Sequence, residues 1–221
     1  MVELRVSKSE RTRQRILDAA AKVFREHGYA NARLADIAAA AGMKTGSLYY
    51  HFVSREELVA EILHLGITTA WDHVREAVDT LPPTATPLLR LATAVRAHML
   101  AVLEIGDYAS AQTRIVGQVP PEVLQGHLSE QREYGAYWNE LLVAAANAGA
   151  LRADTNLFVA RMLILGALNW TAEWFRPERQ TTAAEIAEQA VATVLGGLAA
   201  AGHEGELGLG LGLGPITAEK A

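Results

Sequence analysis

The sequence predicts an all-α protein of about nine helices, with an N-terminal three-helix helix-turn-helix unit followed by a larger helical body. Three observations carry this. Apolar residues recur at three- and four-residue spacing along nearly the whole 221-residue chain, while the two-residue alternation of half-buried strands is almost absent. Glycines stand just past several periodic runs, and prolines at 82, 83, 87, 120 and 121 mark other boundaries. The chain has no cysteine, which excludes a disulfide framework, thiolate metal sites and a thiol nucleophile, so stability must come from a packed core.

The first helix is expected from a cap at Ser9, with Ile16, Leu17, Ala20, Val23 and Phe24 on one face, and to stop at Gly28, where a left-handed residue suits a helix end. A two-turn helix follows at 34–41, stopped by Gly42, and a third short helix at about 45–52. Ser54 with Glu57 three residues on is a capping box that opens a long fourth helix toward Val78. Pro82, Pro83 and Pro87 make a connector, after which 88–104 reads as the fifth helix and 108–116 as a shorter sixth. Pro120 and Pro121 suit the first turn of a long seventh helix ending near Gly149. Asp154 or Thr155 opens a very apolar eighth helix, and Thr181 or Thr182 opens the last, running to Gly202. A helix that is apolar on most faces is buried on most faces, so this C-terminal pair points to a partner subunit as well as a core. The Leu/Gly repeat at 207–214 follows no strand and precedes no helix, so 204–221 reads as a flexible tail rather than a nucleotide loop.

The longest uncharged apolar stretches, 162–172 and 190–202, fall short of the roughly 20 residues that span a bilayer, and the first residues lack the apolar stretch of a secretory signal. A cytoplasmic protein with no membrane partner is the expectation. Its net charge of -5 divides unevenly: residues 1–53 carry nine Lys/Arg against five acids, a charge of +4, and the remainder carries -9. A basic head on an acidic body fits a polyanionic partner for the head.

Residues 34–52, LADIAAAAGMKTGSLYYHF, hold a short helix, a turn at Gly42 and a second short helix. Ile37, Ala38, Ala41, Leu48 and Phe52 supply the contacts between helices. Lys44, Thr45, Gly46, Ser47, Tyr49, Tyr50 and His51 are left over, a set of cation, hydroxyls and aromatics suited to a helix whose N-terminal end enters a major groove. For Tyr49, packing and DNA contact are equally weighted.

With Ile16-Leu17, Ala19-Ala20, Phe24, Gly28-Tyr29, Ile37-Ala38, Ala41-Gly42, Gly46, Leu48-Tyr49, His51-Phe52 and the 54–58 helix start, the first quarter of the chain resembles the TetR family of bacterial transcriptional regulators. The resemblance implies a DNA-binding domain at 1–53, a ligand-binding and dimerisation domain at 54–203, and a homodimer on double-stranded operator DNA. It makes Thr45, Gly46, Ser47, Tyr49, Tyr50 and His51 base or phosphate contacts, and Arg55 a phosphate contact. Arg33 and Lys44 depart from the family pattern, which has Thr or Ser at these places. Each exchange loses a cap, at about 1 kcal/mol, and sets a long cation beside the DNA.

Candidate effector contacts in the body are His98, Met99, Tyr108, Arg114, Tyr134, Trp138, Asn169, Trp170 and Glu173. For each, core packing is the competing role. Asn169 stands out because a buried amide needs a partner, and Arg114 and Arg161 are able to hold a carboxylate or phosphate. The run from Asn169 to Pro177 resembles TetR regulators of lipid and steroid degradation that answer to acyl-coenzyme A, so a hydrophobic, aromatic or acyl-CoA-like effector is implied. The seven histidines show no paired spacing, and there is no nucleophile elbow or phosphate loop, so neither metal, cofactor nor enzymatic activity is expected. A ligand-independent architectural DNA binder and, behind it, a helical enzyme are the alternatives.

Overall fold

The computed structural model describes residues 7–176 and 181–202. Within them the chain forms helices α1 (Lys8–Asn31), α2 (Leu34–Ala40), α3 (Thr45–Leu48), α4 (Arg55–Asp79), α5 (Pro87–Glu104), α6 (Gly106–Ile115), α7 (Pro121–Asn147), α8 (Leu157–Trp174) and α9 (Ala183–Leu198). The described residues hold no strand beyond one isolated bridge, Leu151 with Ala199, which ties the end of α9 to the link after α7.

Where boundaries differ from expectation, capping chemistry accounts for it. Ser7, not Ser9, caps α1: its Oγ accepts from the Glu10 amide at 3.1 Å while Glu10 Oε2 accepts from the Ser7 amide at 2.6 Å. Ser9 has Thr12 three residues on and so lacks the reciprocal acid. The regular helix breaks at Gly28, as expected, with φ +69° and ψ 177°, and a short helical turn beyond this kink carries α1 to Asn31. Pro87 lies inside α5 as its first residue, with Thr86 as cap, because proline at that position gives up no helical hydrogen bond. Asn156 caps α8 through Oδ1 to the Val159 amide at 3.1 Å, in place of Asp154 or Thr155. The last helix stops at Leu198, short of Gly202. The third helix is a single regular turn, continued to Phe52 by the Phe52 amide donating to Leu48 O at 3.0 Å. The Leu/Gly repeat lies outside the described residues.

Two hydrophobic cores form. The first joins Ile16, Leu17, Phe24, Ile37, Leu48 and Phe52 to the first half of α4 and to Ala111, Ile115, Val119 and Val123 from α6 and the start of α7. The second fills the space between α5, α7, α8, α9 and the second half of α4, with Trp138 fully enclosed. Helix α4 thus belongs to both cores, and α6 leans its far end on the head. On α8, by contrast, Phe158, Val159, Met162, Leu163, Trp170 and Trp174 are exposed, Leu163 to 68% and Trp170 to 58%.

Candidate DNA interface and ligand cavity

The head presents the second helix of the helix-turn-helix outward. Leu48 and Phe52 are fully buried, which fixes the opposite face: Lys44, Gly46, Ser47, Tyr49 and Tyr50 are exposed, Tyr50 to 89%, with Thr45 and His51 partly so. Arg33 is exposed at the start of α2, and neither Arg33 nor Lys44 makes a side-chain cap, as expected for long cations in those places. Gly42, at φ +66°, makes the turn between the two helices, a conformation that costs other residues strain. Arg55 has acquired an additional contact that the sequence did not suggest: its guanidinium lies 4.1 Å from the Tyr29 ring centroid and 5.9 Å from that of Phe24. Its Nε and Nη2 are buried without hydrogen-bond partners.

Beneath the head, the body encloses a cavity of about 310 Å³. Gly66, Ile67 and Ala70 of α4 form one wall, and Ala109, Gln112 and Thr113 of α6 another. Helices α7 and α8 close it with Gln131, Tyr134, Gly135, Arg161, Met162, Leu165, Gly166 and Asn169, and α5 adds His98 and Val102. At the inner end, His98 Nδ1 lies 2.7 Å from Tyr134 Oη and Nε2 lies 3.0 Å from Asn169 Oδ1. With the Asn169 oxygen facing it, Nε2 carries the proton and Nδ1 accepts from the Tyr134 hydroxyl. Burial lowers the His98 pKa to about 4, against a smaller upward pull from Asn169, so the imidazole is neutral at neutral pH. Burial likewise raises the Tyr134 pKa. The inner end is therefore polar but uncharged, and the Asn169 amide N–H groups are left over for a ligand.

Of the expected effector contacts, the structure brings His98, Tyr134 and Asn169 together at this cavity and places the other six elsewhere. Trp138 stands behind the group, edge-on to the His98 ring at 5.7 Å. Met99 Sδ accepts from the Thr171 hydroxyl at 3.3 Å and faces a groove between α8 and α9. Tyr108 turns to the head, donating to Asp18 Oδ1 at 2.7 Å and accepting from Gln14 at 3.0 Å. Arg114 donates to Arg25 O at 2.7 Å, also in the head. Trp170 is exposed, and Glu173 is half-buried with Oε1 unpartnered. Helical spacing selects apolar faces but does not tell a cavity-facing side from one facing another helix or a partner. Sequence reasoning missed Gln112, Thr113, Gln131 and the glycines opposite them. A signal was present at Gly66, a glycine in the middle of a strong helix, which costs about 1 kcal/mol relative to alanine. A Cβ there would stand 2.5 Å from Gln112 Oε1, so Gly66 leaves room for the tip of the Gln112 side chain at the cavity wall.

Residues 16–62 match the family model described as bacterial regulatory proteins, tetR family, and residues 84–198 match the tetracyclin repressor-like C-terminal domain. The chain belongs to the TetR family. It is a helix-turn-helix regulator of transcription, and the KstR2 proteins among its relatives are named repressors. The HTH-type transcriptional repressor KstR2 of Mycobacterium tuberculosis is 30% identical over 190 residues, covering 84% of this chain and 92% of that protein. The structure of the ketosteroid transcriptional regulator KstR2 from the same organism superposes with a TM-score of 0.77 at 27% identity, covering 90% of this chain and 97% of the other. AibR, solved in complex with isovaleryl coenzyme A and operator DNA, shares the fold with a TM-score of 0.68 at 24% identity, over 82% and 97% of the two chains. Among the described residues, no group of His, Asp and Glu is placed to hold a metal ion, and no helix is long and apolar enough to cross a membrane.

Proposed function

We propose that this TetR-family protein is a ligand-responsive repressor that acts in the cytoplasm as a homodimer on a pseudo-palindromic operator and is released by a small hydrophobic or acyl-CoA-like effector. Arg33, Lys44, Thr45, Gly46, Ser47, Tyr49, Tyr50, His51 and Arg55 are the DNA-contacting set, in a head at 1–53. Residues 54–203 are the sensing and dimerising unit, with His98, Tyr134 and Asn169 at the inner end of the effector site.

The observation that carries this reading is the double attachment of α6. Ala109, Gln112 and Thr113 line the cavity, whereas Ala111 and Ile115 of the same ten-residue helix are buried in the head's core. A ligand that pushes on the first set moves the second. Helix packing offers discrete arrangements rather than continuous give, so a small displacement at the cavity becomes a rotation of the head. The dimer then no longer spans two successive major grooves, and DNA affinity falls by the differential affinity of the ligand for the two conformations. The cavity's apolar walls and neutral inner end favour an apolar body with a hydrogen-bond acceptor, consistent with a ketosteroid-type relative.

The test is a metabolite screen by thermal shift, repeated with a duplex from the gene's own upstream region. A compound that raises the melting temperature and releases the duplex is the expected result. Sequence-specific DNA binding indifferent to every stabilising compound would leave the architectural alternative standing.

A further inference from the structure

Arg161 has an arrangement that packing does not require. It sits on α8 at the junction between the inner cavity and an outer groove lined by Gln131, Arg132 and Asn139, and it borders both. Its Nη1 donates to Gly135 O at 2.8 Å. That bond ties the guanidinium to the α7 backbone, and the Phe158 ring, with its centroid 5.6 Å away, flanks it. Among the described residues no carboxylate lies within 4 Å of Arg161, nor of Arg132 on the groove wall. A guanidinium held by one bond to a carbonyl keeps most of its five donors free, in a planar fork that matches carboxylate and phosphate oxygens.

The spacing along α8 completes the picture. Arg161, Leu165 and Asn169 follow at four-residue intervals and all line the cavity, so the backbone positions that carry cation and amide lie about 12 Å apart along the axis with the apolar Leu165 between them. We infer that Arg161 anchors an anionic group of the effector at the cavity mouth, and that the ligand class is an amphipathic anion that enters apolar end first. A carboxylate and a thioester-linked coenzyme phosphate share this chemistry. The assignment rests on the cavity being the effector site, as proposed above.

Two fluorescent dyes of nearly identical body test it on the full chain: 8-anilinonaphthalene-1-sulfonate, an anion, and N-phenyl-1-naphthylamine, which lacks the sulfonate. The expected result is that the sulfonate binds about tenfold or more tighter than the neutral dye, and that Arg161→Gln removes this advantage while leaving neutral-dye binding unchanged. Unchanged neutral-dye binding also reports an intact cavity in the variant. Arg161→Lys, which keeps the charge but not the fork, should recover part of the difference. Displacement of the sulfonate by decanoate or by decanoyl-coenzyme A, but not by 1-decanol, supports the anchor and tells which anion it prefers. Equal affinity for the two dyes, or equal loss of both in Arg161→Gln, overturns the inference while leaving a ligand cavity in place. Failure of both dyes to bind overturns the cavity reading itself. Dissociation of Arg161→Gln to monomers would overturn it differently, by placing the guanidinium in a subunit contact.

Discussion

His98 is a residue whose protonation near neutral pH is decided by its environment. Its pKa is lowered on folding from the ordinary 6.5 to about 4 by burial. Between these values the unfolded chain binds a proton that the folded chain does not, so His98 contributes stability above pH 6.5 that is lost as pH falls toward 4. Replacing it with Gln should flatten the fall in melting temperature over that interval, and an identical profile in the variant would contradict the assigned burial. In the head, Arg33 is exposed and unpaired with any acid among the described residues. If it grips a phosphate, Arg33→Ala should make the dependence of operator affinity on salt shallower by about one unit of logarithmic slope, measured by fluorescence anisotropy, and an unchanged slope removes it from the contact set. The buried faces of these residues were legible from spacing alone: Leu48 and Phe52 lie four apart and both are fully enclosed. The stacking of Arg55 on Tyr29 was not, because 26 positions separate them and no local pattern reports that the start of α4 meets the end of α1.

Among the elements, α6 carries the account. Beyond its apolar anchors it is pinned to α1 by the ion pair of Asp107 with Arg25 Nε at 2.9 Å and by Tyr108 to Asp18. Tyr108→Phe deletes the second link without changing shape. It should cost about 1 kcal/mol, or a melting temperature lower by roughly 2–4 °C. In a ligand titration it should also weaken release of DNA more than it weakens ligand binding, since the cavity wall itself is untouched. Equal losses in both would argue that α6 is not the transmitter. At this scale the existence and order of helices were readable in the sequence, whereas their ends were decided by competition between neighbouring caps. Ser7 prevails over Ser9 because Glu10 completes its box, and Asn156 prevails over Asp154 and Thr155, one residue before the helix begins. The shortness of α3 escaped periodicity because four residues are too few to show a period.

For the whole molecule, the division of charge acquires a structural basis. Residues 1–53 carry +4 and the remainder -9, and the outward-facing helix of the described head stands on the basic side of that division. The apolar row on α8 is the complementary observation: Phe158, Leu163 and Trp170 are exposed, large exposed apolar patches mark interaction sites, and this is the face the proposed homodimer would cover. Leu163→Glu should therefore yield a monomer by sedimentation velocity with its helical content intact, and a dimer unaffected by that charge would move the interface elsewhere. That Gly66, Gln112, Gln131 and Arg161 line one cavity, by contrast, was not readable from sequence, because they converge only after α4, α6, α7 and α8 pack.

The most direct measurement is titration of the full chain onto a labelled duplex from its own upstream region, with a scrambled duplex alongside and Tyr50→Ala as the variant. Two chains per duplex are expected, at an affinity at least about 10³-fold above that for the scrambled sequence at physiological salt, with most of that preference lost in Tyr50→Ala. Equal affinity for both duplexes, or a preference that survives removal of the exposed Tyr50 ring, would contradict the claim that α3 and the turn after it read an operator.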